Sequence, residues 1–316
     1  MKPILIINLG GTICMSPSAS GLVPDQSVLP RFLDEYHSKV EYEFEQPFEL
    51  IDSSQASYKQ WFEVASYIQS KINDHPEKYC GVLITHGTDT MAYFASALRF
   101  YFKMLSVPMI VTGSQIPLTQ TNSDAIQNIN FSLKSLQQDT IKKMGVALAF
   151  NNQLLMAEKV SKVDTLSLNG FTQNTHHEIS LNTQLDLNCV LREFNEVDIQ
   201  LIWIHPGLTK NTFPKVNTNT VYILKSYGSG TLPKSHYLID FLESAQKHKA
   251  SVINHSQCFY ANVDMDIYEA GNWLKEFGVI GTKNMSLEAL IAKIQCLDVN
   301  NSFEKELLTP LHYELA

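Results

Sequence analysis

In the first half of the chain, short and wholly apolar runs alternate with longer segments whose apolar residues recur every three or four positions. Ile4-Leu5-Ile6-Ile7 is continuous, without the in–out alternation of a half-exposed strand, and predicts a strand covered on both faces. The same pattern places strands at residues 48–51, 81–85, 108–112 and 146–150. Helices are expected at roughly 58–73, where Trp61, Val64, Ala65 and Ile68 fall at helical spacing, and near 91–104. A third is expected at about 124–137, with Ser123 and Asp124 suited to its N-cap. Strands alternating with helices predict an α/β fold built on a doubly wound parallel sheet.

Residues 151–180 lack a strong period, and 180–198 are rich in Asn, Asp and Gln and read as an extended connection. The domain boundary is set near 190. Residues 1–190 are expected to form an N-terminal α/β domain carrying the catalytic loops, and 191–316 a smaller C-terminal α/β domain. Its strands fall at 200–204, 221–224 and 251–254, its helices at about 235–248 and 286–297, with a less regular one near 267–276.

The N-terminal domain is organised around Gly81-Val82-Leu83-Ile84-Thr85-His86-Gly87-Thr88-Asp89-Thr90. A buried strand turns at Gly87 and delivers two hydroxyls and a carboxylate to the start of a helix. Ligands of parallel α/β sheets bind at such strand-to-helix loops. In the commonest five-strand order the first and third strands flank the switch point, which sets Gly10-Gly11-Thr12 opposite Gly87-Thr88-Asp89. The loops Asp52-Ser53-Ser54 and Gly113-Ser114-Gln115 lie at the same end of the sheet. One pocket would then hold several hydroxyls, at least two carboxylates and the N–H groups of glycine turns.

Composition narrows the possibilities. The apolar fraction of 44% and charged fraction of 18% are those of an ordinary globular protein. Lys and Arg total 24 against 32 Asp and Glu, a formal charge of −8 with no basic stripe, which argues against a nucleic-acid partner. No apolar stretch approaches the roughly 20 residues of a membrane span. The apolar N-terminus is broken by Pro3 and Asn8 and runs into Gly10-Gly11, so it reads as a strand rather than a secretory signal. Five widely spaced cysteines without a CxxC pair fit neither a disulfide framework nor a zinc site, and point to a reducing cytoplasm. His205 and the pair His176-His177 lack acidic partners at metal-ligand spacing. Neither metal nor cofactor is expected.

Two threonines on tight turns, Thr12 and Thr88, are candidate nucleophiles, and each needs a base to take its proton. His86 precedes its turn and alternates away from Thr85, so position does not support a Ser-His-Asp arrangement. A partly buried lysine can serve as the base, and Lys162 is the candidate. Asp52 and Asp89 could accept from a cationic group such as a free α-amine, and the glycine turns could donate to an oxyanion. Each feature also has a plainer reading. Gly-Gly-Thr is common as a simple turn, Asp89 could be a helix N-cap, Asp52-Ser53-Ser54 a polar turn and Lys162 a solvated surface lysine. Four polar loops at one sheet end are harder to dismiss than any one of them.

These residues resemble signatures of the bacterial L-asparaginases, most closely the cytoplasmic type I enzymes. Gly10-Gly11-Thr12-Ile13 is similar to the first signature, and Thr85-His86-Gly87-Thr88-Asp89-Thr90 to the second, intact. Val111-Thr112-Gly113-Ser114-Gln115-Ile116-Pro117-Leu118 resembles the type I form of the next motif. Lys225-Ser226-Tyr227-Gly228-Ser229-Gly230 and Ser256-Gln257-Cys258 resemble motifs of the family's C-terminal domain. The resemblance runs nearly end to end.

It implies hydrolysis of the side-chain amide of L-asparagine to L-aspartate and ammonia through a threonine acyl-enzyme. Thr12 would be the nucleophile, with Thr88, Lys162 and Asp89 as the supporting catalytic group. Asp52, Ser53, Ser54, Thr88 and Asp89 would hold the substrate. It also implies a homodimer or homotetramer. The chain departs from the family pattern at Leu9, where a threonine is usual, and at Ala125, where a glycine is usual after Ser-Asp. The larger departure is Leu22, which stands where the family carries a loop tyrosine that activates the nucleophile. Losing such a proton-transfer partner can cost roughly 10²–10⁴-fold in rate. Ser16 and Ser18 are nearby groups that could cover the role. Two other readings stand beside a working asparaginase. One is an amino-acid-binding or regulatory protein of the same fold with weak or no catalysis. The other is an amidase acting on glutamine or a tRNA-linked amide, which the absence of a basic surface weakens.

Overall fold

The computed structural model describes residues 2–36, 40–175, 179–265, 272–299 and 302–315. Its main sheet has the strand order Tyr42–Glu45, Ile4–Asn8, Gly81–Thr85, Met109–Thr112, Val146–Phe150 and Gln153–Met156. The first five run parallel and the last is antiparallel. In chain order the parallel strands lie 2-1-3-4-5, a doubly wound order with its switch point between the first and third. Ile4–Asn8 and Gly81–Thr85 are buried at every position, as continuous apolar runs require when helices cover both sheet faces. Helix Tyr58–Asp74 buries the stripe Trp61, Val64, Ala65, Ile68 and Ile72, and a capping box between Ser57 and Gln60 fixes its start.

Three element expectations change. The second strand is Tyr42–Glu45, not residues 48–51; of the latter only Ile51 forms an isolated bridge, to Gly10. As an edge strand it is half-buried throughout, and Glu43 and Glu45 face Lys71 and Lys78, so it lacks the apolar run that marked the others. The helix expected near 91–104 ends at Tyr101, and Phe102–Met104 instead pairs antiparallel with Val190–Leu191. The sheet gains Gln153–Met156 through a two-residue turn at Asn151 and Asn152, with φ of 47° and 57°. Asn-Asn is tolerant of that left-handed conformation and is the signal for this hairpin in the sequence.

The chain divides into two compact units, Met1–Gln173 with Glu178–Arg192, and Asn174–His177 with Glu193–Ala316. The second unit has a parallel sheet in the order Asp198–Trp203, Thr220–Ser226, Ser251–Ser256 and Ile280–Gly281. Tyr222, Leu224, Phe241 and Leu242 centre its core. Of the helix expected near 267–276, residues 267–271 lie outside the described residues, and a 3-10 turn spans Trp273–Phe277. His176 and His177 also lie outside them. No helix among the described residues is long and apolar enough to cross a membrane.

Candidate active site

Glycines bring the loops at the switch point into backbone contact. A β-carbon on Gly11, which has φ of +85°, would lie 2.3 Å from the Gly87 Cα. One on Gly87 would lie 2.5 Å from Ser53 Oγ, and one on Gly113 would lie 2.4 Å from the His86 carbonyl. Only hydrogen fits at these crossings, so the loops after the first four parallel strands pack as one unit. Thr90 Oγ1 donates to the Ser53 carbonyl at 2.8 Å and ties the second loop to the third.

Thr12 opens the short 3-10 turn Thr12–Cys14 directly after Gly11 and is half-buried. Its hydroxyl has no hydrogen-bond partner among the described residues. Thr88 is buried. Lys162, on strand Val160–Lys162, donates from Nζ to Thr88 Oγ1 at 2.9 Å and to Asp89 Oδ1 at 2.8 Å. The lysine side chain is 15% exposed and the aspartate 66%. In that setting the pair contributes little to stability, but it orients the lysine on the threonine. The reading of Lys162 as a solvated surface lysine therefore fails. The N-cap reading of Asp89 fails too, because Thr90 takes the N-cap position, without a side-chain capping bond, and Asp89 is committed to Lys162.

Asp52 is exposed, and its Oδ1 accepts from the Ser54 N–H at 3.0 Å, capping the turn Ser53–Gln55. Ser53 is buried against Gly87, whereas Ser54 is exposed. Leu22 is 43% exposed on a hairpin of Met15–Ser18 and Gly21–Pro24, opposite Pro17. The two serines considered as substitutes are otherwise engaged. Ser16 Oγ donates to Asp25 Oδ2 at 2.9 Å, and Ser18 Oγ to the Gly21 carbonyl at 2.7 Å.

Two ionisable groups beside the site are held neutral. Burial lowers the His86 pKa to about 4, against a partly compensating bond to the Gly87 carbonyl. Its ring stacks on Phe94 at 4.6 Å, so this histidine is a packing element, not a base. Burial pushes the Cys14 thiol up to about 12, although its bond to Asn8 works the other way. It supplies no thiolate.

The roles of three residues escaped the sequence reading. Asn8 ends the first strand fully buried, and its Oδ1 accepts from Gly10 N, Cys14 Sγ and Thr85 Oγ1. A lone amide closing an apolar run just before a glycine turn is the signal that could have found it. Asp124 has no capping bond; its carboxylate accepts from the N–H groups of Gln115 and Ile116 and holds the fourth loop. Gln115 Oε1 sits 3.5 Å from Thr88 Oγ1.

Comparison with known proteins gives concordant matches for both units. The family model "Asparaginase, N-terminal" matches residues 3–190, and "Glutaminase/Asparaginase C-terminal domain" matches residues 198–306. The chain is 31% identical over 315 residues to L-asparaginase 1 of Escherichia coli (strain K12), covering 94% of this chain and 91% of that protein. Among solved structures, the thermostable L-asparaginase from Thermococcus kodakarensis aligns with a TM-score of 0.83 at 25% identity, covering 99% of each chain. L-asparaginase I from Vibrio cholerae aligns with a TM-score of 0.82 at 28% identity, covering 100% of this chain and 99% of that one.

Proposed function

The chain belongs to the asparaginase family, and from that premise we propose that it hydrolyses the side-chain amide of L-asparagine to L-aspartate and ammonia. The observation that carries this reading is the contact of Lys162 Nζ with both Thr88 Oγ1 and Asp89 Oδ1, on loops packed against Gly11-Thr12. In the first step Thr12 Oγ attacks the amide carbon. Its proton goes to the departing nitrogen along the hydrogen-bonded pair of Thr88 and Lys162, and ammonia leaves. In the second step water attacks the Thr12 ester, its proton follows the same relay, and Thr12 O–H and aspartate are regenerated. Asp89 accepts from Lys162 Nζ and holds it against Thr88. Backbone N–H groups of the glycine turns suit the developing oxyanion. The carboxylates of Asp52 and Asp89 suit the substrate α-amine, and Ser53, Ser54 and Thr88 its α-carboxylate. No step calls on a metal or cofactor.

Ammonia release from purified protein with L-asparagine, L-glutamine and D-asparagine tests this. Release with L-asparagine that Thr12→Ala abolishes supports the assignment; turnover unchanged in Thr12→Ala sinks it. A second reading rests on Leu22. With no tyrosine on the exposed hairpin and no hydroxyl bonded to Thr12 among the described residues, the protein would bind the amino acid while turning it over slowly or not at all. Tight binding without ammonia release would support it. We also propose a cytoplasmic homo-oligomer, a dimer or tetramer. A monomeric mass near 35.7 kDa by light scattering would contradict the assembly.

A further inference from the structure

Behind the His86-Gly87 turn lies a cavity of about 190 Å³, enclosed by the 48–53 loop and helix Tyr58–Asp74. An engineered apolar cavity of about 150 Å³ admits benzene, so this one holds a six-membered ring with a short arm. Its walls are Leu9, Phe48, Ile51, Trp61 and Val64, a lining that water fills poorly. The buried side chains of the lining that carry polar atoms include Trp61, whose indole N–H has no hydrogen-bond partner among the described residues, and His86. Its Nδ1 donates to the Gly87 carbonyl at 2.8 Å, which leaves Nε2 as a bare acceptor with no hydrogen-bond partner among the described residues. The residue is 97% buried, being 3% exposed. At the rim stand Glu49 and Glu63, both exposed and both without an ion-pair partner among the described residues.

The lining thus combines a buried acceptor on His86, a largely apolar wall and two exposed carboxylates. We propose that this cavity is a binding site for a small arylalkylamine with a donor on its ring. The ring hydroxyl or N–H would donate to His86 Nε2, the ring would fill the apolar section, and the ammonium would meet Glu49 and Glu63. A carboxylate in place of the ammonium would be repelled at the mouth. Ser53 and Gly87 also line the cavity, and they sit on the loops assigned above to the amide site. Occupancy therefore bears on the placement of those loops, a consequence that rests on the proposed amidase reading; the binding itself does not.

Tyramine is the probe, with phenethylamine and 4-hydroxyphenylacetate as comparisons, in full-length protein without asparagine and at low salt. Binding is read from ligand-observed NMR and from quenching of indole fluorescence that disappears in Trp61→Phe. Tyramine is expected to bind at least threefold more tightly than phenethylamine and tenfold more tightly than 4-hydroxyphenylacetate. Glu49→Gln with Glu63→Gln, both at exposed positions that tolerate change, should weaken tyramine at least threefold. Val64→Phe, which fills the barrel, should abolish binding. Equal affinity for the amine and the carboxylate overturns the proposal. So does a tyramine affinity that the double glutamine variant leaves unchanged, or displacement of tyramine by aspartate in simple competition. Failure of ammonia release with asparagine would leave these outcomes untouched.

Discussion

Thr85 Oγ1 donates a hydrogen bond of 2.8 Å to Asn8 Oδ1, linking the ends of the two strands that flank the switch point across 77 residues of sequence. The same oxygen accepts from the Gly10 N–H at 3.1 Å and from Cys14 Sγ at 3.2 Å, on either side of Thr12. One buried amide thus holds the turn that presents the proposed nucleophile and fastens it to the strand leading to Thr88.

Asn8→Ala strips three buried donors of their acceptor. Unsatisfied buried donors cost roughly 1–3 kcal/mol each, and partial relaxation brings the expected total to about 3 kcal/mol. The melting temperature should fall by about 6–12 °C. Because the turn around Thr12 loosens, kcat should fall more than KM rises. Thr85→Val removes one of the three donors and should reproduce only part of either loss. Equal kcat in Asn8→Ala and wild type, assayed well below melting, would refute the positioning role.

Much of this site was legible in the sequence because its parts lie at strand ends, and strand ends in a doubly wound sheet converge. Thr12, Thr88 and Asp89 needed only the strand runs and the glycines to be located, whereas Ser53 follows a run, residues 48–51, that forms no strand. Lys162 was a different matter. It sits on a three-residue strand in a segment without periodicity, so its place beside Thr88 arises from tertiary pairing with Phe171–Gln173. The second strand was misplaced for a related reason. Tyr42–Glu45 is an edge whose alternate glutamates pair with lysines, and Phe48-Glu49-Leu50-Ile51 carries the more hydrophobic run without forming a ladder. Asn8 was visible but looked like a mere interruption, because nothing local says that one of its three donors is Thr85, 77 residues away on another strand.

Leu22→Tyr tests the account of the hairpin. The position is exposed, so the change should leave stability within about 0.5 kcal/mol. A phenol there would restore a proton-transfer partner that neither Ser16 nor Ser18 supplies, since both hydroxyls are bonded within the hairpin. Such groups contribute roughly 10²–10⁴-fold. A single replacement without its own supporting contacts should recover at least tenfold in kcat with L-asparagine. An unchanged kcat would mean that proton transfer does not limit this enzyme.

In the second unit, Lys293 is fully buried and donates to the carbonyls of Leu307 and Thr309 and to Glu314 Oε1, each at 2.7 Å. It pins the C-terminal segment to helix Leu287–Ile294. Lys293→Met leaves the Glu314 charge buried alone and should cost about 3–5 kcal/mol in urea unfolding. Burial by itself would raise the Glu314 pKa, but the Lys293 charge and the Leu311 N–H outweigh it and the net direction is down. The stability tied to this carboxylate is therefore present above the unfolded value near 4.3 and lost as pH falls through the folded one. A Lys293→Met protein as stable as wild type would show that the segment is held by other contacts.

His86 gives the first unit a pH dependence of its own. Burial lowers its pKa from 6.5 to about 4, so on acidification the unfolded chain takes up this proton well before the folded one. Stability is unaffected above about pH 6.5 and declines as pH falls from there toward 4. A shift of this size corresponds to about 3 kcal/mol across that window. His86→Phe keeps the stacking against Phe94 and loses the bond to the Gly87 carbonyl. It should start less stable than wild type at pH 8 and then lose less between pH 7 and pH 4.5. His255, buried in the second unit beside Lys225, is shifted the same way, so part of the wild-type slope survives in the variant. Urea midpoints followed at both ends of that range decide the matter: parallel pH slopes for variant and wild type would mean that His86 takes up its proton without unfolding the turn.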